Sequence, residues 1–189
     1  MTKTSPLLSR RTLIAATGAS LLTAGCTGGL GGDGPSRIDA RVATTLERMY
    51  TEIPDSKRLA EQAAGMLVMP VITDASFGLG GAYGQGALLV QDVTVDYYSQ
   101  AKLSFGLQAG AQQYAHVLFF MTEDALAHFR MSDGWAAGAD IKYAVANEGG
   151  RFGADTIRAT SPVIAVVFGQ AGLIVGASLE GAKYSRIIP

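Results

Sequence analysis

The N-terminal part of the predicted domain has the spacing of amphipathic helices. Apolar residues recur every three or four positions, and charged residues occupy the other faces. Ser36 begins a pattern similar to a capping box, so we expect the first helix to start there and to end before Pro54. Thr122 is placed to cap a later helix. The three predicted helices are RIDARVATTLERMY, DSKRLAEQAA and TEDALAHF.

The rest of the chain is patterned as strands. Its apolar runs are short and rich in β-branched and aromatic residues, and glycine, aspartate or asparagine separates them. Most of them follow one another without an intervening helix, which favours antiparallel pairing. We therefore predict an α+β fold, with N-terminal amphipathic helices and one short helix on a mainly antiparallel sheet. The strand-like segments are MLVMPVIT, GALLVQDVTV, KLSFGLQAGAQQ, AHVLFFM, DIKYAVA, PVIAVVF and GLIVGASLEGAKYSRI.

Glycine recurs on one side of these predicted strands. Residues of the same parity point to the same face of an uninterrupted strand, and glycines there allow another backbone to approach closely or the sheet to bend. We therefore expect a strongly curved, partly barrel-like sheet. A membrane-embedded sheet is the alternative, although aromatic girdles are not evident. The structural glycines are Gly78, Gly80, Gly84 and Gly86, then Gly106 and Gly110, then Gly172 and Gly176.

The glycine-rich stretch FGLGGAYGQG does not meet the requirements of a nucleotide loop. Gly78 and Gly80 fit the dinucleotide fingerprint, but Tyr83 occupies the position of its third glycine. A strand-like segment follows, so no helix N-terminus is available for a phosphate. A phosphate loop also needs a lysine followed by serine or threonine, which this stretch lacks.

Residues 159–179 carry no charge over 21 positions, which is long enough for a helix to cross a bilayer. Pro162, Gln170 and three glycines oppose that interpretation. Two apolar halves flank the sequence GQAG, so we predict a buried hairpin with its turn at GQAG.

Residues 1–25 have the organisation of an export signal. Basic residues, including Arg10 and Arg11, precede an apolar stretch that ends in small residues. SRRTLI is similar to a twin-arginine signal, with an ordinary Sec signal as the alternative. Cys26 is the only cysteine, and LTAGC resembles the lipobox at which lipoproteins are acylated. We expect export and a lipid anchor on Cys26 in the cell envelope. Thr27 in place of aspartate indicates the periplasmic face of the outer membrane.

Residues 26–36 read as a flexible glycine-rich tether, and residues 37–189 as the domain. Such a tether reaches less than about 20 Å, so the domain stays near the membrane. Beyond residue 25 the chain keeps 12 of its 15 Lys and Arg and all 16 Asp and Glu, a net charge of −4. This balance does not favour binding to nucleic acid.

Several basic residues follow the tether directly. Each basic group close to an anionic membrane contributes about 1 kcal/mol of binding free energy. Our hypothesis is that they contact phospholipid head groups. The alternative is a solvated helix face on which the arginines pair with Asp39, Glu47 and Glu52. The basic residues are Arg37, Arg41, Arg48, Lys57 and Arg58.

The sequence shows no catalytic constellation. His116 lies in a strand-like segment and His128 in a predicted helix, and neither belongs to a clustered metal-ligand motif. We therefore expect no enzyme activity, no metal and no cofactor. An unrecognised hydrolase is the alternative, and it would need distant carboxylates to converge. Those carboxylates are Asp92, Asp96, Asp140, Asp155 and Glu180.

Four stretches resemble, in order, the motifs of the SYLF domain family: FGLGGAYGQGALL, SFGLQAGAQ, GWAAGAD and GLIVGASLEGAKY. The resemblance covers the chain from about residue 37, with departures at NEGGRFG and FGQAGL. It implies a domain that binds membrane phospholipids, because the family does so. Eukaryotic members bind phosphoinositides and some bind actin, but actin is not expected as a partner of an exported protein. An envelope scaffold that binds a protein partner, with the acyl anchor as its only lipid contact, is the alternative function.

Overall fold

The computed structural model describes residues 33–138, 141–144, 161–172 and 179–189. Arg10, Arg11, Cys26 and Gly176 lie outside these residues, so the predicted signal, anchor and last structural glycine do as well. The described elements are α1 Asp33–Glu52, α2 Ser56–Gln62, β1 Gly65–Val90, β2 Val93–Phe120, α3 Glu123–Met131, β3 Trp135–Ala136, β4 Ile141–Ala144, β5 Val163–Gly172 and β6 Lys183–Ile187.

Helix α1 begins earlier than the sequence pattern predicts. Its first residue is Asp33, so residues 33–36, which we assigned to the tether, belong to the helix, and Ser36 is not its cap. The helix ends at Glu52, before Pro54 as predicted, and its residues Ile38, Val42 and Met49 are buried.

The third helix confirms its predicted cap. The Thr122 side chain accepts a hydrogen bond from the backbone N–H of Ala125 at 3.2 Å. Glu123 and Asp124 lie in the first turn, where their negative charges interact favourably with the positive end of the helix dipole.

Removing this cap gives a first prediction. Thr122→Ala is expected to lower the free energy of unfolding by about 1 kcal/mol, because the Ala125 N–H loses its acceptor. Thr122→Ser keeps a hydroxyl and should stay within a few tenths of a kcal/mol of the parent. Urea unfolding followed by circular dichroism measures both. Equal midpoints for the alanine and serine variants would contradict the role of the cap.

Two long strands dominate the sheet, where the sequence pattern predicts several shorter ones. β1 and β2 pair antiparallel from Gly65↔Phe120 to Val90↔Val93, and the glycine-rich stretch does not interrupt them. Gln91 and Asp92 form the connecting turn with φ of 51° and 62°. Positive φ at both positions is the geometry of the tight hairpin turn that matches strand twist. The sequence has Gln-Asp here in place of the usual Asn-Gly, so its pattern predicts GALLVQDVTV as one strand, and that prediction is wrong.

The other edge of β2 is shared by two strands. β5 pairs antiparallel with residues 112–120 of β2, and β6 pairs antiparallel with residues 97–101. β3 lies outside β6, and β4 lies outside β5 as the one parallel pair of the described sheet. The sheet is curled into a half-barrel, which confirms the predicted α+β class with a curved, mainly antiparallel sheet.

The charge-free stretch contains a strand that continues through the predicted turn. β5 runs from Val163 to Gly172, so the sequence GQAG does not reverse the chain, and that prediction is wrong. Gly169 has a φ of 63°, and the pairing with β2 shifts there between Gln113 and Ala115. Gly169 therefore adopts its left-handed conformation at a β-bulge, and not at a turn. This glycine belongs to the GQAG sequence from which a turn was predicted. Among the described residues no helix is long and apolar enough to span a membrane.

The curl brings one part of β1 against another part of the same strand. A Cβ on Gly84 would meet the carbonyl oxygen of Val71, and a Cβ on Gly86 would meet that of Val68. The register between Gly78 and Gly86 is uninterrupted, so Gly78, Gly80, Gly84 and Gly86 share a face. In β2 a register shift separates Gly106 from Gly110, and Gly172 is the last residue of β5.

The sheet has an apolar core on each face. Phe120 and Leu118 belong to the inner core, which α3 helps to cover, and Phe119 and Val117 belong to the outer core under α1 and α2. Asp39 of α1 fixes the helix to β2, because its carboxylate accepts hydrogen bonds from the Thr94 hydroxyl at 3.0 Å and the Tyr97 hydroxyl at 2.9 Å.

Candidate functional site

A cleft lies between α1 and the two parts of β1 that the curl brings together. Its volume is about 400 Å³. One wall is the start of α1, and the other combines residues before and after the bend in β1. The close approach at Gly84 therefore forms the cleft as well as the curl. The lining residues used below are Arg37, Arg41, Val71, Thr73, Tyr83 and Gln85.

Two of the five predicted basic residues lie in this cleft. Arg37 and Arg41 are one helical turn apart on α1, and the buried Ile38 and Val42 hold the adjoining face of the helix against the sheet. Both arginines are exposed to solvent at the mouth of the cleft. The structure therefore places two guanidinium groups over one concave surface.

The other three basic residues lie elsewhere. The Arg48 guanidinium donates to Glu52 at 2.6 Å, as the alternative of a solvated ion-paired face requires, and a Cβ on Gly169 of β5 would meet this guanidinium. The Lys57 ammonium lies 5.9 Å from the centre of the Tyr50 ring, at a smaller cavity of about 210 Å³ that Glu61 and Asp92 also line. Arg58 is exposed on α2. The five predicted basic residues are thus divided, and of these only Arg37 and Arg41 share the cleft.

Hydrogen-bonding groups and an exposed apolar surface accompany the two arginines. The Gln85 amide donates to the Tyr83 hydroxyl at 3.2 Å, and Thr73 adds a second hydroxyl to the wall. Tyr83 is 55% exposed, and on the same sheet face Leu79 is 64% and Leu103 is 76% exposed. The pairing Gly81↔Leu103 places these three side chains around a glycine. Exposed large apolar groups beside a polar cleft are typical of an interaction surface.

The sequence interpretation missed these apolar residues. Leu79 and Tyr83 are odd-numbered, so they lie on the opposite face from the even-numbered glycines that were singled out. The alternation of faces along a strand could have identified Leu79 and Tyr83 as residues on the face opposite the glycines. Leu103 is 24 residues from Leu79 in the chain, and only the long hairpin brings the two together.

One of the carboxylates proposed for a hydrolase, Asp96, forms ion pairs that join structural elements. Asp96 lies 3.3 Å from Arg130 and 3.5 Å from Arg186, so it joins α3 and β6 to β2. Asp140 and Asp155 lie outside the described residues. Within those residues no three side chains of the His, Cys, Asp and Glu types form a group that could hold a metal.

His116 is part of the inner core. Its Nε2 lies 2.9 Å from the hydroxyl of Tyr184, and complete burial lowers the pKa of its imidazole from 6.5 to about 3. The ring is therefore neutral in the folded protein at neutral pH.

This burial predicts a loss of stability in mild acid. In the unfolded chain His116 takes up a proton as the pH falls below 6.5, but in the folded state it does so only near pH 3. The free energy of unfolding should therefore fall by about 1.4 kcal/mol per pH unit below 6.5, or roughly 2 kcal/mol between pH 6.5 and 5. Urea midpoints across this interval measure the slope. His116→Asn should flatten it, and an unchanged slope in that variant would contradict the assignment.

Comparison with known proteins identifies a domain family. Residues 101–186 match the family model described as Ysc84, Las17-binding protein actin regulator. No curated protein matches the chain. The matched residues begin within β2 and extend into β6, so they include α3, β3, β4 and β5 but neither β1 nor the N-terminal helices. Residues 101–186 therefore belong to a domain of the SYLF family, whose motifs the sequence resembles.

Proposed function

We propose that this protein is an exported, lipid-anchored component of the cell envelope whose SYLF domain binds anionic phospholipid without catalysis. The observation that carries the proposal is the cleft of Arg37 and Arg41 beside the exposed face of Leu79, Tyr83 and Leu103. The predicted acyl group on Cys26 and the short segment after it would hold the domain near the periplasmic face of the outer membrane.

The polar part of the cleft suits a phosphate-bearing head group. Guanidinium groups bind phosphate through paired hydrogen bonds, and two of them one turn apart present several donors to one anion. The hydroxyl groups of Thr73 and Tyr83 and the Gln85 amide line the same space. Each arginine near an anionic membrane contributes about 1 kcal/mol to binding.

The apolar part suits the acyl region next to the head groups. Leu79 and Leu103 are mostly exposed, and their burial in lipid would remove apolar area from water. Tyr83 belongs to both the cleft and the apolar face, and tyrosine is favoured at the boundary between water and lipid. The two parts together define one orientation of the domain on a membrane.

Vesicle flotation tests the proposal. Residues 27–189 contain the whole compact unit Asp33–Pro189 and lack both the predicted signal and Cys26. This form should float with vesicles that contain an anionic phospholipid, and added salt should weaken the binding. Equal flotation with zwitterionic vesicles at all salt concentrations would contradict the role of the arginines. Protein that stays at the bottom with every vesicle would contradict phospholipid binding by the domain.

The family description favours a second candidate function, because it names a protein-binding actin regulator. In that case the domain would be an envelope scaffold, and the acyl group would be its only contact with lipid. Actin itself is not expected for an exported protein. Failure of flotation, together with a specific partner recovered by crosslinking on intact cells, would support the scaffold.

A further inference from the structure

The smaller cavity, of about 210 Å³, lies where the end of α1, helix α2 and the β1–β2 turn meet. Tyr50 and Ala60 line it and also pack against the outer core, which fixes one wall of the cavity. With 3.6 residues per turn, Tyr50 is on the opposite flank of α1 from Arg37 and Arg41. This cavity is therefore separate from the cleft of the two arginines.

Two carboxylates of this cavity lack a cationic partner among the described residues. Glu61 of α2 and Asp92 of the β1–β2 turn line the cavity, and no described Lys or Arg forms an ion pair with either. Lys57 is four residues before Glu61, a spacing at which such a pair can form on a helix. Its ammonium lies instead 5.9 Å from the centre of the Tyr50 ring. One ammonium and two carboxylates give the lining a net charge of −1 at neutral pH.

The Tyr50 ring already interacts with a cation of the protein itself. An ammonium within about 6 Å of a ring centre is attracted by the negative face of the ring, as Lys57 is here. Burial raises the pKa of the Tyr50 hydroxyl, and the negative charges of Asp92 and Glu61 raise it further. The aromatic ring and both carboxylates therefore act at one place, where they favour positive charge.

We propose that this cavity binds the ammonium group of a small organic amine between the Tyr50 ring and the carboxylates of Glu61 and Asp92. The ligand replaces the Lys57 ammonium at the ring. A metal ion suits the cavity less well, because within the described residues no three side chains of the His, Cys, Asp and Glu types form a group that could hold one. Free amines and the ethanolamine head groups of phospholipids both carry the required ammonium group.

NMR titration of residues 27–189 with ethanolamine hydrochloride tests the proposal, with sodium chloride at equal ionic strength as the reference. The amide signals around Tyr50, Ala60 and Asp92 should shift in a saturable way. Sodium chloride alone should not produce these shifts. The absence of saturable shifts with ethanolamine would overturn the proposal.

Removal of the two carboxylate charges tests their role. Glu61→Gln with Asp92→Asn should weaken ethanolamine binding about tenfold, because two partly solvated ion contacts are lost. Asparagine also tolerates the left-handed conformation of residue 92. Glu47→Gln with Asp133→Asn is the matched control, since it removes the same charge at exposed positions outside the cavity, and it should keep the parental affinity. An equal loss in both double variants would overturn the proposal.

Lys57 gives a test in the opposite direction. Lys57→Ala should strengthen ethanolamine binding about fivefold, because the competing ammonium leaves the Tyr50 ring. Arg58→Ala makes the same change in charge on α2 outside the cavity, and it should alter the affinity much less. Unchanged or weaker binding by Lys57→Ala would overturn the assignment of the ring as part of the site.

Glycerophosphoethanolamine distinguishes the two sources of the amine. Tighter binding of this probe than of ethanolamine would support a phospholipid head group, because the displaced Lys57 ammonium can contact the phosphate. Equal affinity for the two probes would support a free amine. Both probes are soluble and need no membrane, so failure of vesicle flotation would leave the ammonium site standing, and failure of the titration would leave the arginine cleft standing.

Discussion

Gly86→Ala should lower the free energy of unfolding by about 3 kcal/mol or more, the upper part of the range for overpacked interiors. The added Cβ would meet the carbonyl oxygen of Val68. The distance from this Cβ to Sδ of Met69 would be 2.6 Å. A methionine side chain can move, but the Val68 carbonyl belongs to a backbone that pairs with Val117. The curl of β1 would have to open to relieve the overlap.

Gly138→Ala is the matched control for this change. A Cβ at Gly138 meets no atom within 4 Å, so the same chemical substitution should leave stability nearly unchanged. Urea unfolding of both variants gives the comparison, and the soluble yield of each variant is a second measure. Equal unfolding midpoints for the two variants would show that β1 does not pack on itself at Gly86.

These glycines show how far the sequence determines the fold. Their common parity was visible in the sequence, and so was the consequence that something approaches them closely. The sequence does not show which residue approaches Gly86, because that residue, Val68, lies 18 positions earlier in the same strand. Local patterns identified the helices and the Thr122 cap, since their hydrogen bonds join residues within one turn. The lengths of β1 and β2 depend on pairing over the whole hairpin, which no local pattern specifies.

The candidate site was predictable to a smaller extent. Helical spacing indicated a basic face on α1, and the structure confirms that Arg37, Arg41 and Arg48 belong to one helix. Helical spacing does not say which arginine faces a cleft, because that depends on where the curled β1 lies beneath the helix. Arg48 instead pairs with Glu52 four residues later, a local contact that the sequence permits equally well.

The curl of the sheet and the candidate site both arise from the close contact of β1 with itself. The approach of β1 to itself at Gly84 brings Val71 and Tyr83 to the same cleft, and α1 covers that place with its first two turns. A substitution that opens the curl should therefore also disperse the cleft, and vesicle binding would fall together with stability. Substitutions at the arginines change the charge of the cleft while leaving the backbone contacts in place, so they separate binding from folding.

Charge reversal at both cleft arginines, Arg37→Glu with Arg41→Glu, should abolish most binding to anionic vesicles. Removal of each positive charge costs about 1 kcal/mol near an anionic membrane, and each added negative charge costs a similar amount. The sum of about 4 kcal/mol corresponds to roughly a 1,000-fold weaker binding at low salt. Flotation of residues 27–189 with vesicles of graded anionic content measures the loss, and circular dichroism verifies that the variant is folded.

Arg48→Glu with Arg58→Glu is the matched control, because it changes the net charge of the chain by the same amount at positions outside the cleft. Arg48 is already paired with Glu52, and Arg58 is on α2, so this variant should lose much less binding. An equal loss in both double variants would mean that overall charge attracts the domain, without a specific cleft. Full binding by the cleft variant, with the salt dependence of the parent, would place the anionic contact elsewhere on the domain.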